Sequence, residues 1–403
     1  MQQILDFFNQ SPKYKMIVLA LISLIACQAV FFPILNLAKK KNLTDDPDAR
    51  KLQKQPVPVL GGAAVFFGMM IGMCFFKTMH TYTSLFPIVS AMVIMLYIGM
   101  LDDIMGTRAW VRFVLEIMVA LLIVYGNRFY ICNFQGLWGI DTIPFGLGVL
   151  LSVITFVGVV NAINMIDGVD GLCSGFCVMA CIFFGVLFFL AHDYSYAALA
   201  AISAGALVPF IIHNVFGWES KMFIGDGGTM VMGTMISAMV FELLRGKFHV
   251  VLVGFTQDWC ALDFSLIAFC LAVLAIPIFD TLRVMTERIC RGVSPFSPDK
   301  THLHHRFIAL GCSYIFTTLS ELFLNLVIIA VFIIAWLCGA SVDWQLYWVI
   351  ITAALIDFGG SALMKHWAVA EKGLGPKLRA SAPKTSVSRE GFWKKVQRVV
   401  DKG

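Results

Sequence analysis

The chain has 403 residues, of which 59% are hydrophobic and only 14% are charged, with a formal net charge of +5. Its mean hydropathy is +0.83. Soluble domains carry roughly 25% charged residues, so this composition excludes a soluble globular protein. It predicts an all-α, polytopic membrane protein, since each membrane-spanning helix needs about 20 mostly apolar residues.

Eleven apolar runs predict about 11 transmembrane helices. The runs are Met16–Ala38, Val59–Phe76, Leu85–Leu101, Ala109–Gly126, Leu147–Val160, Cys173–Ala191, Tyr196–His213, Thr229–Leu244, Phe264–Phe279, Leu322–Cys338 and Tyr347–Leu363. No small-residue cleavage site follows the first run, so we interpret it as a retained span. We expect a membrane domain over residues 1–364 and a basic, disordered tail over residues 365–403, whose amphipathic end (Phe392–Val400) suits an anionic membrane surface.

The distribution of basic residues predicts the orientation of the spans. One set of loops, together with the tail, holds 23 of the lysines and arginines, whereas the loops on the other side hold 6. Basic residues accumulate on the cytoplasmic side of membrane proteins. This bias places the N-terminus outside and the C-terminus in the cytoplasm.

Five polar clusters then fall on the cytoplasmic side. They occupy residues 45–62, 102–106, 161–172, 213–228 and 294–307. The loops on the other side carry no comparable cluster. We therefore expect one functional site, built from five loops that converge at the cytoplasmic face.

The third cluster, NAINMIDGVDGL, carries two amides and two carboxylates at a spacing of three. They are Asn161, Asn164, Asp167 and Asp170. Residues three apart share one face of a helix. Polar and ionisable groups at the end of a membrane span are costly and indicate function. A helix cap with a tight turn is the alternative, but a cap needs only one aspartate.

Three further aspartates suggest a divalent-cation site. Asp102 and Asp103 are adjacent at the end of a span. Neighbouring carboxylates repel unless a cation or a proton lies between them, although an aspartate pair held by Arg108 is an alternative. Asp226 lies between glycines at the start of another span, where it can bind Mg²⁺ or simply cap the helix.

The remaining loop residues suit a nucleotide and its phosphates. Phe223 and Trp218 can stack on a base, and Asn214 can hydrogen-bond to one. His302, His304 and His305 stand beside Lys300 and Arg306, and their spacing does not match a zinc site, which favours phosphate binding. Arg50 and Lys51 also suit phosphate binding, and ordinary positive-inside charge is the alternative for them. An ordinary helix-end ion pair explains Asp280 and Arg283.

Carboxylates for Mg²⁺ and cationic groups for phosphate oxygens together indicate phosphoryl transfer. A site at the membrane face implies one lipid reactant and one water-soluble reactant. A secondary transporter is the alternative from another class, and it would hold its charges near the membrane midplane. Few charges lie inside the predicted spans, and two of them, Arg112 and Glu116, can pair across one helical turn.

Five strings, in order, resemble the polyprenyl-phosphate N-acetylhexosamine-1-phosphate transferases of glycosyltransferase family 4. They are DDPDARKLQKQPVPVLGG, LDDIMG, NAINMIDGVDGL, FIGDGG and PDKTHLHHRF. The resemblance implies Mg²⁺-dependent transfer of a sugar phosphate from a UDP-N-acetylhexosamine to a lipid phosphate such as undecaprenyl phosphate, with release of UMP. The His-x-His-His string resembles the branch that uses UDP-GlcNAc to start O-antigen or teichoic acid synthesis. Phospho-MurNAc-pentapeptide translocase, or a relative with another UDP-N-acetylhexosamine donor, is the alternative.

The resemblance also implies roles for individual residues. Asp226 becomes the Mg²⁺ ligand, with Mn²⁺ as an alternative ion, while Asp102 and Asp103 approach the lipid phosphate and share the ion. The nucleotide side is assigned to Asn161, Asn164, Asp167, Asp170, Asn214 and Phe223. The pyrophosphate charge is assigned to His302, His304, His305, Arg50 and Lys51. The implied location is the bacterial inner membrane, no nucleic acid partner is expected, and small residues on the spans allow a homodimer.

Overall fold

The computed structural model describes residues 12–45, 56–76, 82–245, 263–295, 301–364, 396–397 and 399–401. The first helices are α1 (Pro12–Lys40), α2 (Gly61–Cys74), α3 (Tyr82–Met105), α4 (Ala109–Asn127), α5 (Phe145–Met165), α6 (Leu172–Leu190) and α7 (Tyr194–Phe216). They are followed by α8 (Gly225–Arg245), α9 (Leu266–Val273), α10 (Ala275–Cys290), α11 (Leu303–Ala309), α12 (Tyr314–Leu337) and α13 (Val342–Ala354), which continues into a π-helical turn at Leu355–Gly359.

Two small antiparallel ladders complete the regular structure of the described ranges. Strands β1 (Thr44–Asp45) and β2 (Val57–Pro58) pair between α1 and α2, with Thr44 opposite Pro58. Strands β3 (Asn133–Leu137) and β4 (Ile140–Thr142) form a hairpin between α4 and α5. The structure confirms the predicted all-α, polytopic architecture.

All eleven predicted runs are helical, but the number of full spans is lower. Among the described residues, nine helices are long and apolar enough to cross a membrane, and the bent pair α9–α10 makes a tenth candidate. Helix α2 has 14 residues. At 1.5 Å per residue it rises only about 21 Å, less than the ~30 Å hydrocarbon core. The prediction of eleven complete spans is therefore wrong for α2.

A buried asparagine explains why the ninth apolar run is broken. Helices α9 and α10 meet at an angle of 73°. The side chain of Asn325 on α12 donates to the carbonyl oxygens of Ala272 (3.3 Å) and Val273 (3.0 Å) and accepts from the amide of Ile276 (3.0 Å). Free backbone groups are costly in a membrane unless other groups satisfy them. Asn325 thus stabilises a bend that the apolar sequence does not reveal.

Helix α8 is the centre of the bundle. It packs against α2, α3 and α5, and 94% of its most apolar window is buried. Its glycines allow close approach of neighbouring backbones: Gly227 lies against α3 near Gly99, and Gly228 lies against Gly62 of α2. Small residues at helix contacts are typical of membrane proteins, because they let backbones approach closely. This packing brings the first turn of α8 against the first turn of α2 and the last turns of α3.

Helix termini are capped at both ends of the bundle. At one end, Asp193 caps α7 because its side chain accepts from the amides of Ser195 and Tyr196. At the other end the amides of Gly61 and Gly62 donate to the carbonyl oxygens of Phe223 (2.9 Å) and Ile224 (2.7 Å). Loops at this second end therefore satisfy the helix termini of one another, and they form a connected polar layer.

Candidate active site

A cavity of about 570 Å³ opens within this polar layer. Its lining comes from all five polar clusters of the sequence: Asp45 and Val59; Asp102, Asp103 and Gly106; Asp167, Gly168, Val169 and Asp170; Asn214, Lys221, Phe223, Gly225 and Asp226; and His305, with Tyr314 beside it. The predicted convergence of five loops is confirmed. Eight of the residues predicted for the site lie on this one surface.

Two carboxylates at the bottom of the cavity share one guanidinium group. Nη1 of Arg112 lies 3.0 Å from Oδ2 of Asp102 and 3.5 Å from Oδ2 of Asp226. Asp102 also accepts from the amide (2.7 Å) and the hydroxyl (2.6 Å) of Thr107. The carboxyl groups of Asp102 and Asp226 are close enough to hydrogen-bond to each other. Acidic oxygens from α3 and α8 are thus concentrated at one point.

Arg112 is oriented from behind by a second pair of side chains. Its Nε lies 3.6 Å from Glu116, which is buried, and its Nη2 donates to Oδ1 of Asn161 at 3.4 Å. Asn161 in turn donates to Glu116. The predicted pairing of Arg112 with Glu116 is confirmed. Asn161 thus holds Arg112 in place in this structure, and its predicted contact with substrate stays a prediction.

Asp103 caps the central helix. Its Oδ1 accepts from the amide of Asp226 at 2.9 Å, and its Oδ2 accepts from the amide of Gly227 at 3.2 Å. A carboxylate stabilises a helix N-terminus because it satisfies free N–H groups and the helix dipole. The alternative interpretation of Asp226 as the cap of this helix is wrong, since Asp103 performs that role. Asp226 is left facing the cavity.

The opposite wall of the cavity carries a lysine that pairs with an aspartate. Nζ of Lys221 lies 2.6 Å from Oδ2 of Asp170 and 5.7 Å from the ring centroid of Phe223. Asp167 is open to the cavity. Burial of the cavity wall raises the pKa of Asp167 to about 7, and the carboxylates of Asp103 and Asp170 add to this rise.

Asn214 joins two of the loops that form this wall. Its Oδ1 accepts from the amide of Gly171 at 2.7 Å, and its Nδ2 donates to the carbonyl of Met222 at 2.9 Å. It therefore fixes the segment that carries Phe223 relative to the segment that carries Asp170. The predicted contact of Asn214 with a base stays a prediction. Asn164 lies on the last turn of α5, one turn before Asp167.

The three histidines of the fifth cluster have different surroundings. Nδ1 of His302 lies 2.7 Å from Oδ2 of Asp280, which also binds buried Arg283. His304 is buried, and its ring touches Gly168 of the third cluster. His305 lines the cavity. Only His305 lies where a bound phosphate group could reach it directly.

His304 is a neutral residue in these surroundings. Burial lowers the pKa of His304 to about 3, and the neighbouring His305 and His302 contribute to the shift. An uncharged, enclosed imidazole cannot carry pyrophosphate charge at neutral pH. In this structure His302 and His304 fix the histidine segment against Asp280 and Gly168, and their predicted phosphate-binding role stays a prediction. The predicted phosphate residues Arg50 and Lys51 lie outside the described residues.

We expect Asp280→Ala to destabilise the protein by about 3–5 kcal/mol, because it leaves the buried Arg283 without its closest carboxylate. Asp280 is 1% exposed, and its oxygens bind Arg283, His302 and the amide of Leu303. Thermal unfolding of the purified protein in detergent measures the change. The matched control Asp141→Ala, at an exposed position of β4, should unfold within 1 °C of the unmodified protein, a span that corresponds to only a few tenths of a kcal/mol. Equal stability of both variants would contradict the prediction.

The carboxylates suit Mg²⁺ if a substrate supplies further ligands. Among the described residues, no group of three or more His, Cys, Asp or Glu side chains is arranged to hold a metal ion. The predicted trio of Asp226, Asp102 and Asp103 is therefore not a preformed cage, because both oxygens of Asp103 bind α8. Mg²⁺ is commonly held by one or two carboxylates plus substrate phosphates. Asp102 and Asp226 provide such a pair.

The fold and the cavity define a class: a multi-spanning membrane protein with a cavity rich in carboxylates at one end of its helices. Comparison with known proteins agrees with this class. The glycosyl transferase family 4 sequence profile matches residues 85–244, which include Asp102, Arg112, Asp170 and Asp226. A decaprenyl-phosphate N-acetylglucosaminephosphotransferase of Mycobacterium leprae is 31% identical over 331 residues, covering 77% of this chain and 82% of the relative.

Two enterobacterial relatives carry a similar name, undecaprenyl-phosphate alpha-N-acetylglucosaminyl 1-phosphate transferase. The protein of Escherichia coli K12 is 27% identical over 280 residues (68% of this chain, 71% of the relative). The protein of Salmonella typhi is 27% identical over 363 residues (87% and 92%). The chain belongs to glycosyl transferase family 4 and is a membrane-bound transferase.

Proposed function

We propose that this enzyme transfers GlcNAc-1-phosphate from UDP-GlcNAc to undecaprenyl phosphate, with Mg²⁺ as cofactor. The relatives named above act on polyprenyl phosphates and N-acetylglucosamine. The observation that carries the proposal is that two carboxylates, Asp102 and Asp226, and a lysine, Lys221, line one cavity at the end of the membrane helices. Both a lipid headgroup and a soluble nucleotide can reach such a cavity.

The reaction needs one bond to form and one to break. An oxygen of the lipid phosphate attacks the phosphorus that bears GlcNAc, and the oxygen bridging the two phosphates of the donor leaves with UMP. A phosphate monoester has its second pKa near ~6, so the attacking group is already ionised at neutral pH. This favours direct in-line attack over a phospho-aspartate intermediate, with Asp102 positioning the reactants. Mg²⁺ bound by Asp102 and Asp226 would neutralise charge on the diphosphate.

Four further side chains have separate roles in this proposal. Lys221 is placed to neutralise a donor phosphate, and its pairing with Asp170 fixes its position. Phe223 offers a ring beside it on which the uracil can stack. Arg112 holds the two carboxylates at a fixed separation and reduces their repulsion. His305 lies on the same surface as a hydrogen-bond donor for phosphate.

The basic loops favour an orientation in which this cavity faces the cytoplasm from a bacterial inner membrane. The cytoplasm is the compartment in which UDP-sugars are made. The product would then be the first lipid-linked intermediate of a cell-envelope polysaccharide. We propose that the donor is UDP-GlcNAc rather than UDP-MurNAc-pentapeptide. Leu303 interrupts the histidines and gives the His-x-His-His string that resembles the UDP-GlcNAc branch.

A direct assay tests the proposal. Purified protein, undecaprenyl phosphate and Mg²⁺ are incubated with UDP-GlcNAc, UDP-GalNAc or UDP-MurNAc-pentapeptide, and UMP is measured. We expect UMP release with UDP-GlcNAc and no release after chelation of the divalent ion. Release from UDP-MurNAc-pentapeptide alone would assign the other branch. Substrate counterflow in liposomes without UMP release would indicate a transporter.

We expect Lys221→Met to raise the KM for UDP-GlcNAc about tenfold, since a lost charge-assisted hydrogen bond costs about 1.5–3 kcal/mol. The kcat should change little, because Lys221 binds the donor rather than the carboxylates at the bottom of the cavity. Lys15→Met is the matched control: Lys15 also lies over a phenylalanine, 5.2 Å from the ring of Phe76, but outside the cavity lining. An equal rise of KM in both variants would contradict the role given to Lys221.

A further inference from the structure

One aspartate outside the cavity makes an unusually dense set of contacts. Oδ1 of Asp401 accepts from the amides of Trp218 (3.1 Å), Glu219 (3.2 Å) and Ser220 (3.0 Å). It also accepts from the hydroxyl of Ser220 at 2.8 Å. Asp401 belongs to residues 399–401, which are helical. A segment expected to be disordered or to lie on lipid thus contacts the loop between α7 and α8.

The same loop is held from two other sides. Nζ of Lys39, at the end of α1, donates to the carbonyl of Glu219 at 2.6 Å. The hydroxyl of Ser220 lies 3.1 Å from Nδ1 of His213 on α7. Together with Asp401, these contacts fix residues 218–220 from three directions.

Immediately after residues 218–220, the same loop lines the cavity. Lys221 follows Ser220 and pairs with Asp170. The carbonyl of Met222 accepts from Asn214, and the amide of Phe223 donates to the carbonyl of Pro58 at 2.8 Å. The lysine of the donor wall is therefore the residue that directly follows Ser220, the last residue of the Asp401 contact. Loss of the contact would free the backbone from which Lys221 extends.

The chemistry of the contact requires an anion. Consecutive backbone N–H groups that point at one position form a site for a negative charge. Burial alone raises the pKa of Asp401, but the hydrogen bonds from Ser220, Trp218 and Glu219 outweigh it and hold the pKa below its usual value. The group is therefore ionised at neutral pH, and the contact weakens only under acidic conditions.

We propose that Asp401 is a positioning residue for the nucleotide-sugar side of the cavity. It acts through the backbone of residues 218–220, which sets the location of Lys221 and Phe223. The inference rests on the proposed function, because it identifies the donor as the substrate whose binding depends on Asp401. The lipid phosphate, bound near Asp102 and Asp226, is independent of this contact.

Kinetics of the full chain with Asp401→Ala test the proposal. We expect the KM for UDP-GlcNAc to rise about tenfold, while kcat and the KM for undecaprenyl phosphate stay within twofold. Asp401→Asn keeps an acceptor oxygen without the charge and should give an intermediate KM. A residue that merely stabilised the fold would not separate the two substrates in this way.

Hydrogen exchange without substrate provides a measurement independent of activity. The amides of residues 218–220 should exchange faster in Asp401→Ala than in the unmodified protein. Asp343→Ala is the matched control, since Asp343 accepts from the amide of Trp138 at 2.7 Å in the β3–β4 hairpin, and it should alter neither the exchange nor the KM.

Two results would overturn the positioning role: unchanged exchange at residues 218–220, or faster exchange with an unchanged KM. The unmodified protein serves as the reference for the proposed function. If it released no UMP from any donor, the proposed function would fail. Normal release with an unchanged KM in Asp401→Ala would overturn the positioning role alone.

Discussion

Asp226→Asn should lower kcat for UMP release by about 10³-fold, because it removes one of the two carboxylates that we propose hold a divalent ion beside the reacting phosphates. Asparagine keeps the shape of the side chain and the amide that donates to Asp103. The fold and the KM for UDP-GlcNAc should therefore change little. A Mg²⁺ titration of UMP release should show that the variant needs a higher ion concentration for its residual activity.

The matched control for this variant is Asp141→Asn, at an exposed position in β4 outside the cavity lining. It should keep the full rate and the same dependence on Mg²⁺. A rate for Asp226→Asn within tenfold of the unmodified enzyme would contradict the role of Asp226. So would an unchanged response to the ion.

Gly99→Ala should reduce stability by about 1–3 kcal/mol, since inserted atoms in a packed interior force shifts of that cost. A Cβ at this position would lie 2.5 Å from the backbone carbon and oxygen of Asp226 and from Cα of Gly227. Relief of the clash requires α8 to move away from α3, which displaces Asp226. Because a displacement of about 1 Å at a reacting group can cost 10²-fold in rate, we expect a fall of that order in kcat.

Gly126→Ala is the control for Gly99→Ala. Gly126 also lies in a helix, but an added Cβ there meets no atom within 4 Å. The stability of the Gly126→Ala variant should be unchanged or higher by up to about 1 kcal/mol, since alanine has a higher helix propensity than glycine. Thermal unfolding and UMP release of both variants check the prediction. Equal behaviour of the two would show that contact between α3 and α8 does not place Asp226.

Much of the fold could be predicted because membrane spans depend on local composition. Each apolar run is helical, with the ninth divided between α9 and α10, and the polar clusters meet at one end of the bundle. The bend between α9 and α10 could not be predicted, since it depends on Asn325, about 50 residues away in the sequence. The short length of α2 was hidden because the apolar run continues beyond both helix ends.

The aspartates of the site could be identified, but not what each one does. Asp102 and Asp103 look equivalent in the sequence, yet one faces Arg112 and the other caps α8. In the sequence, Arg112 is predicted only to pair with Glu116, and nothing distinguishes Lys221 from the other basic residues of the loops. A basic residue one helical turn before an acidic one in an apolar span was the available signal for Arg112.

The histidine cluster shows the same limit. Spacing alone could not separate His305, which lines the cavity, from His304, which is enclosed against Gly168. The difference arises from the packing of α11 against the third cluster. Three histidines that look alike in the sequence therefore have three different environments in the structure.

The cap that α3 provides for α8 has a consequence for how the protein enters the membrane. Helix α8 has a hydropathy of 1.4, the lowest among the nine candidate spans of the described residues. A segment with such a low hydropathy gains little free energy from insertion into lipid alone. The ribosome makes α3 before α8, so the Asp103 carboxylate is already at the membrane face when α8 emerges. Biogenesis should therefore proceed by insertion of α8 into a groove between helices that are already in place.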